Sequence, residues 1–138
     1  MNNAVVSREV DWSAFLARWP LENLANMSLE EYSTAGDQDC FVYWLEARTE
    51  SLGSIWGGSA FKFGIYSRRD KAKKSNESRY YGPDYAWYAK YGKTEEESFE
   101  RVRAIIVDIA TAARSGELEL VDRADLGEAV KWKLAFLY

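Results

Sequence analysis

The 138-residue chain has no histidine and a single cysteine, Cys40. Without histidine there is no Ser-His-Asp or Cys-His nucleophile arrangement and no histidine-bound zinc or iron. One cysteine can form neither an intramolecular disulfide nor a cysteine-cluster metal site, and it gives no sign of an oxidising compartment. No apolar run approaches 18 residues, and the opening MNNAVVSREVDW has neither the basic nor the apolar region of a secretory leader. These absences lead us to expect a soluble, cytoplasmic protein with no membrane role.

What is present points to one aromatic-rich domain. The length suits a single core that needs no staples. A hydrophobic share of 47%, with six Trp, nine Tyr and six Phe, excludes general disorder and demands an aromatic core or an aromatic binding face. The formal net charge is -4. Its distribution is uneven: residues 62–93 hold nine Lys/Arg against the three acids Asp70, Glu77 and Asp84, a local charge of +6, which leaves -10 for the rest of the chain.

Four catalytic or ligand motifs are approached and missed. Gly92-Lys93-Thr94 copies the end of a phosphate-binding P-loop, but Trp87 stands where its first glycine belongs. Gly57-Gly58-Ser59-Ala60-Phe61 begins like a nucleophile elbow and lacks its last glycine and any histidine base. Asp37-Gln38-Asp39 resembles the start of a calcium loop without the required glycine and distal Glu. Pro83-Asp84 could open a nuclease carboxylate cluster, yet no Asp/Glu-X-Lys triplet occurs. Paired carboxylates acting alone have no specific support. A binding module, with no enzymatic activity, metal or cofactor, is the expectation.

Along the chain, Trp12, Phe15, Leu16 and Trp19 follow Asp11, a candidate N-cap, at the spacing of one helical face, and Pro20 stops that helix. Ser28 and Glu31 are spaced as a capping box, with Leu29 and Tyr32 facing inward. The run 40–46, rich in strand formers, is expected to be an interior strand, with Glu46 at its end placed to pair with a cation or contact a base edge, pairing with Arg48 or water being favoured. A second strand over 61–66 alternates Phe61, Phe63 and Ile65 with Lys62, Gly64 and Tyr66, and an antiparallel pairing of the two strands is open. The polar, basic segment 67–78 reads as a mobile loop. Asp84 would cap a short helix over 85–91 that Gly92 closes.

Thr94 to Glu97 open the surest helix, with Phe99, Val102, Ile105, Ile106, Ile109, Ala110 and Ala113 as its buried stripe and Gly116 past its end. The segment 118–127 reads as a short strand and then a helical turn after Asp122. The last stretch, 130–138, reads as a strand passing from solvent into a core. Its apolar end, Ala-Phe-Leu-Tyr, suggests a natural protein that continues.

Cations interleaved with aromatic rings suit a polyanion with stackable bases, since cations neutralise phosphate while ring faces replace base stacking. Lys62, Arg68, Arg69, Lys71, Lys73, Lys74 and Arg79 are the candidate phosphate contacts. Trp44, Tyr66, Tyr80, Tyr81 and Trp87 are the candidate stacking or pocket residues. The same aromatic groups could instead cover the sheet or form a peptide or subunit surface.

Phe41-Val42-Tyr43-Trp44-Leu45-Glu46, Leu52-Gly53-Ser54-Ile55-Trp56-Gly57-Gly58, Phe61-Lys62-Phe63-Gly64-Ile65-Tyr66 and the closing Lys131-Trp132-Lys133-Leu134-Ala135-Phe136-Leu137-Tyr138 together resemble the N-terminal domain that precedes McrB-type AAA+ motors in modification-dependent restriction systems. The likeness spans residues 24–138. It implies a front-end module that recognises DNA, with a modified base as one alternative, while a motor domain in the same chain and a nuclease subunit do the cutting. The expectation is therefore a single α+β domain with a largely antiparallel sheet packed by the 94–115 helix and N-terminal helices. Its expected role is DNA recognition, with a protein-interaction domain as the competing class and a carboxylate-dependent hydrolase as the third.

Overall fold

The computed structural model describes residues 3–69 and 75–138. Its axis is helix α4, Glu95–Arg114, whose N-cap Thr94 accepts a hydrogen bond from the Glu97 amide while Glu95, Glu96 and Glu97 fill the first turn. Acids there oppose the positive end of the helix dipole. Phe99, Val102, Ile106, Ile109 and Ala110 form the buried stripe, with Ile105 and Ala113 half-buried at its margins, and Gly116, at φ +76°, follows the last turn.

On α4 pack a 3-10 helix at Leu21–Asn26, α2 (Leu29–Tyr32), α5 (Leu118–Arg123) and α6 (Glu128–Leu137), while α1 (Asn3–Arg18) and α3 (Phe41–Tyr43, continued by a π turn at Trp44–Arg48) complete the same core. The expected Ser28–Glu31 capping box forms in full, with both reciprocal bonds. Helix α1 ends before Pro20 and buries Phe15 and Trp19 as expected, but it starts well before Asp11, whose carboxylate instead accepts a hydrogen bond from the Ser51 hydroxyl at 2.6 Å.

A three-stranded antiparallel sheet lies against α4: β1 (Ile65–Ser67), β2 (Arg79–Tyr81) and β3 (Tyr85–Tyr88), in the order β1-β3-β2. The fold is thus α+β, one domain, with an antiparallel sheet on the long helix. The elements differ from the expected ones at five places.

The 40–46 run is helical. Phe41, Trp44 and Leu45 are buried at i, i+3 and i+4, a spacing that buries one helix face and outweighs the strand preference of Val, Tyr and Trp. It therefore cannot pair with the 61–66 segment, and β1 pairs with β3. The 85–91 segment is the central strand followed by a 3-10 turn, because Tyr85, Ala86 and Trp87 are all buried between two neighbours. The 118–127 segment opens directly with helix α5. The 130–138 stretch is helix α6, with Val130, Leu134 and Leu137 on its buried face and Trp132 and Phe136 exposed.

The second expected strand begins late. Ala60–Phe63 is a 3-10 turn capped by the Ser59 hydroxyl, and Gly64, at φ +81°, turns the chain into β1. A Cβ on Gly64 would lie 2.8 Å from Cγ2 of Val102, so glycine there meets both a left-handed backbone and close contact with α4. Phe63 and Ile65 join the main core, but Phe61 is buried elsewhere, on the opposite face of the sheet.

Candidate nucleic-acid interface

The register of the sheet decides which aromatic groups face the core. Ile65, Trp87 and Tyr80 are cross-strand partners and turn toward α4; Trp87 and Tyr80 meet edge to face with ring centres 6.0 Å apart. Tyr66, Ala86 and Tyr81 form the adjacent row on the other face, followed by Tyr88 opposite Arg79. Alternation along a strand makes these two rows opposite sides of one sheet.

On the outer face Phe61 folds down among the rings. Its centre lies 5.1 Å from Tyr66, 5.7 Å from Tyr81 and 5.0 Å from Tyr88. Cations sit over this cluster: Arg79 at 4.5 Å from the Phe61 ring centre and 5.7 Å from Tyr88, Arg68 at 5.0 Å from Tyr81, and Lys90 at 5.3 Å from Tyr88 and 5.2 Å from Tyr91. Arg68 is buried and donates to the Gly82 carbonyl at 2.6 Å, so its guanidinium is fixed in place. Lys90 also pairs with Asp125 at 2.7 Å in an exposed ion pair. Burial, with Asp125 nearby, pushes the Tyr91 phenol up, and its neutral hydroxyl donates to the Asp125 carbonyl at 2.6 Å.

Along the free edge of β1 runs a cavity of about 290 Å³. Its lining joins the 33–38 loop to Tyr43, Glu46, Tyr66 and Arg69. The loop is tied to the strand by two bonds: the Ser67 amide donates to the Ser33 hydroxyl at 2.9 Å, and the Ala35 amide donates to the Ser67 hydroxyl at 3.0 Å. The buried hydroxyls of Tyr32 and Tyr85 hold the same corner by donating to the carbonyls of Phe63 and Ser33.

Of the residues singled out from sequence, Tyr66, Tyr81, Arg68 and Arg79 come together on the outer face. Arg69 lines the cavity beside them and is exposed. Lys62 lies in an ion pair with Glu46 at 2.7 Å and also donates to the carbonyls of Ile55 and Gly57, so Glu46 pairs with a cation as one expectation had it, though not with Arg48. Arg48, the expected partner of Glu46, stacks on Trp44 and pairs with Asp39.

Trp44 and Trp87 are buried, their indole N–H groups donating to Asp39 at 2.8 Å and to the Gly92 carbonyl at 3.0 Å. The Trp44 donation, followed by that of Arg18, holds the Asp39 carboxyl below its usual range. Tyr80 lies with Trp87 on the inner face. Lys71, Lys73 and Lys74 lie outside the described residues. Phe61, Tyr88 and Lys90 were missed because their segments were assigned to core and helix; strand alternation over 85–88 is the signal that finds Tyr88, while Phe61 and Lys90 sit in 3-10 turns that it does not reach.

No group of three or more metal-ligating side chains occurs among the described residues, and no described helix is long and apolar enough to cross a membrane. No protein-family model, curated protein or solved structure matches the chain.

Proposed function

We propose that the domain is a DNA-recognition module of a restriction or phage-defence system, contacting nucleic acid with the outer face of its sheet. The observation that carries this reading is the packing of Tyr66, Tyr81 and Tyr88 around Phe61, with Arg68, Arg79 and Lys90 placed over the rings. Rings give a sequence-tolerant stacking surface and the accessible cations, Arg79 and Lys90, neutralise phosphate while buried Arg68 braces Tyr81, so one face supplies both components of polynucleotide affinity. The cavity beside β1 has the contents needed to hold a single base, modified or not: ring walls at Tyr43 and Tyr66, acceptors at Asp37 and Glu46, and Arg69 at its rim. The resemblance to McrB-type N-terminal domains implies the same role, with the motor and the nuclease supplied by other parts of the system.

The test is a binding titration with unmodified, methylated and hydroxymethylated duplexes and the matching single strands. The parent chain is compared with a variant in which Arg69, Lys73, Lys74 and Arg79 are Ala. Binding that weakens in the variant and falls steeply with salt is the expected result. Absence of binding to every nucleic acid overturns the proposal and leaves the protein-interaction alternative.

A further inference from the structure

Trp56 is the most exposed of the large apolar side chains described, at 74%. A solitary exposed apolar residue is ordinary on a protein surface. The backbone beneath this one is not. The loop that carries it is fastened by two lysines from other elements: Lys133 of α6 donates to the Gly53 carbonyl, and Lys62 donates to the carbonyls of Ile55 and Gly57, on either side of Trp56. Ile55 is anchored in the core, while Gly57 and Gly58 take φ of +97° and +71° with open space around them. Three carbonyls and one buried side chain thus hold the backbone fixed while the indole stands in solvent.

Beneath the indole lies a recess of about 240 Å³ whose polar floor is the Lys62–Glu46 pair. It shares Glu46, Ala60 and Phe63 with the cavity beside β1, and Lys62 with the cleft that holds Tyr88 and Lys90. Trp56 therefore stands between the two parts of the candidate interface. Its immediate ground is electrically balanced, since Glu46 offsets Lys62 and Asp125 offsets Lys90, so phosphate attraction comes from Arg69 on one side and from Arg79 on the other. A flat aromatic face between two cationic flanks, above a donor–acceptor pair, matches a nucleobase with its backbone held on both sides. Inside a regular duplex the base faces are covered by their neighbours, so an indole carried on a fixed backbone reaches one only where the strand is unpaired.

We infer that Trp56 is a base-stacking residue of this interface and that it directs the site toward unpaired bases. The inference rests on the nucleic-acid reading and adds to it a strand preference. Lys62 acts as a positioning residue, and Glu46 is placed to accept from an exocyclic amine of the stacked base.

The test uses the full chain with Trp132 replaced by Phe, which leaves Trp56 as the principal solvent-facing indole. Tryptophan emission and affinity are measured against a single strand, a blunt duplex, and a duplex carrying an unpaired bulge. The expected result is quenching of emission by the single strand and the bulge but not by the blunt duplex. Trp56→Ala should weaken binding to the first two by roughly tenfold or more, with Trp56→Phe retaining most of the affinity. Circular dichroism confirms that the variants fold. If the parent binds nucleic acid while Trp56→Ala binds single strands as the parent does, the stacking role is overturned and the DNA-recognition reading stands. If the parent binds no nucleic acid, both fall. Equal quenching by the blunt duplex overturns the strand preference.

Discussion

Lys133 shows what a single side chain can be made to carry. It is 5% exposed, and its ammonium donates to the carbonyls of Thr49 and Gly53, closing the end of the π turn and the start of the Trp56 loop. Burial brings its pKa down from 10.5 to about 8, against the opposing pull of Glu50. An unfolded chain keeps the proton up to 10.5, whereas the folded chain releases it near 8. Below pH 8 both states hold the proton and the folded state bears the whole desolvation cost. Above it the unfolded state binds more protons, so stability rises with pH. Chemical denaturation between pH 8 and 9.5, below the range of ordinary tyrosines, should show stability increasing in the parent and a flatter profile in Lys133→Met. A second residue-scale prediction concerns Tyr32, fully buried, with its hydroxyl donating to the Phe63 carbonyl at 2.7 Å. Tyr32→Phe leaves that carbonyl unpaired beside the candidate cavity and should cost about 1–2 kcal/mol in a denaturant titration, with the fold retained.

Elements meet tightly where the Ala60–Phe63 turn passes into β1. Gly64 allows the turn at φ +81° and lets Val102 of α4 approach where a Cβ would otherwise stand. Gly64→Ala meets the left-handed strain and an overpacked contact together, and should cost about 2–4 kcal/mol. Val102→Ala in the same chain should recover part of that loss, the coupling being read from a double-mutant cycle of denaturation midpoints. Full additivity would show that strain alone is responsible.

The same junction explains why some elements were legible in the sequence and others were not. α4 and the Ser28–Glu31 cap follow from local rules: capping residues, a 3.6-residue apolar stripe and a terminal glycine. The 41–46 and 85–88 segments are aromatic and apolar at nearly every position, and 130–137 alternates with Lys131 and Lys133 before turning wholly apolar, so period 2 and period 3.6 both fit them. Partners settled those cases. Phe41, Trp44 and Leu45 bury one helix face, and Tyr85 to Tyr88 enter between β1 and β2. The basic and aromatic content of the interface was legible from composition. Which rings share a face was not, because that depends on the register Tyr66–Ala86–Tyr81, set by tertiary pairing.

At the scale of the whole molecule, the decisive quantity is where charge sits rather than its sum. On the nucleic-acid reading, a net charge of -4 would repel a polyanion at long range, and the +6 of residues 62–93, less the two charges that Glu46 and Asp125 offset, would attract it close in. Screening over about 8 Å at physiological salt weakens interactions beyond that range, so the local patch governs association once a strand is near. This separates two kinds of contribution on the outer face. Arg79, seated over Phe61 and Tyr88, should act through phosphate, so Arg79→Ala should weaken binding and reduce the slope of log K against log salt by about 0.7–0.9. Tyr81, edge to face with Phe61 and beneath Arg68, should act through its ring. Tyr81→Leu should therefore lower affinity by roughly 1–3 kcal/mol and leave the salt slope unchanged. Titrations of both variants from 50 to about 200 mM salt check the pair together. If each loses affinity with the same unchanged slope, the outer face binds through apolar contact alone, and a protein partner accounts for it better than a nucleic acid does.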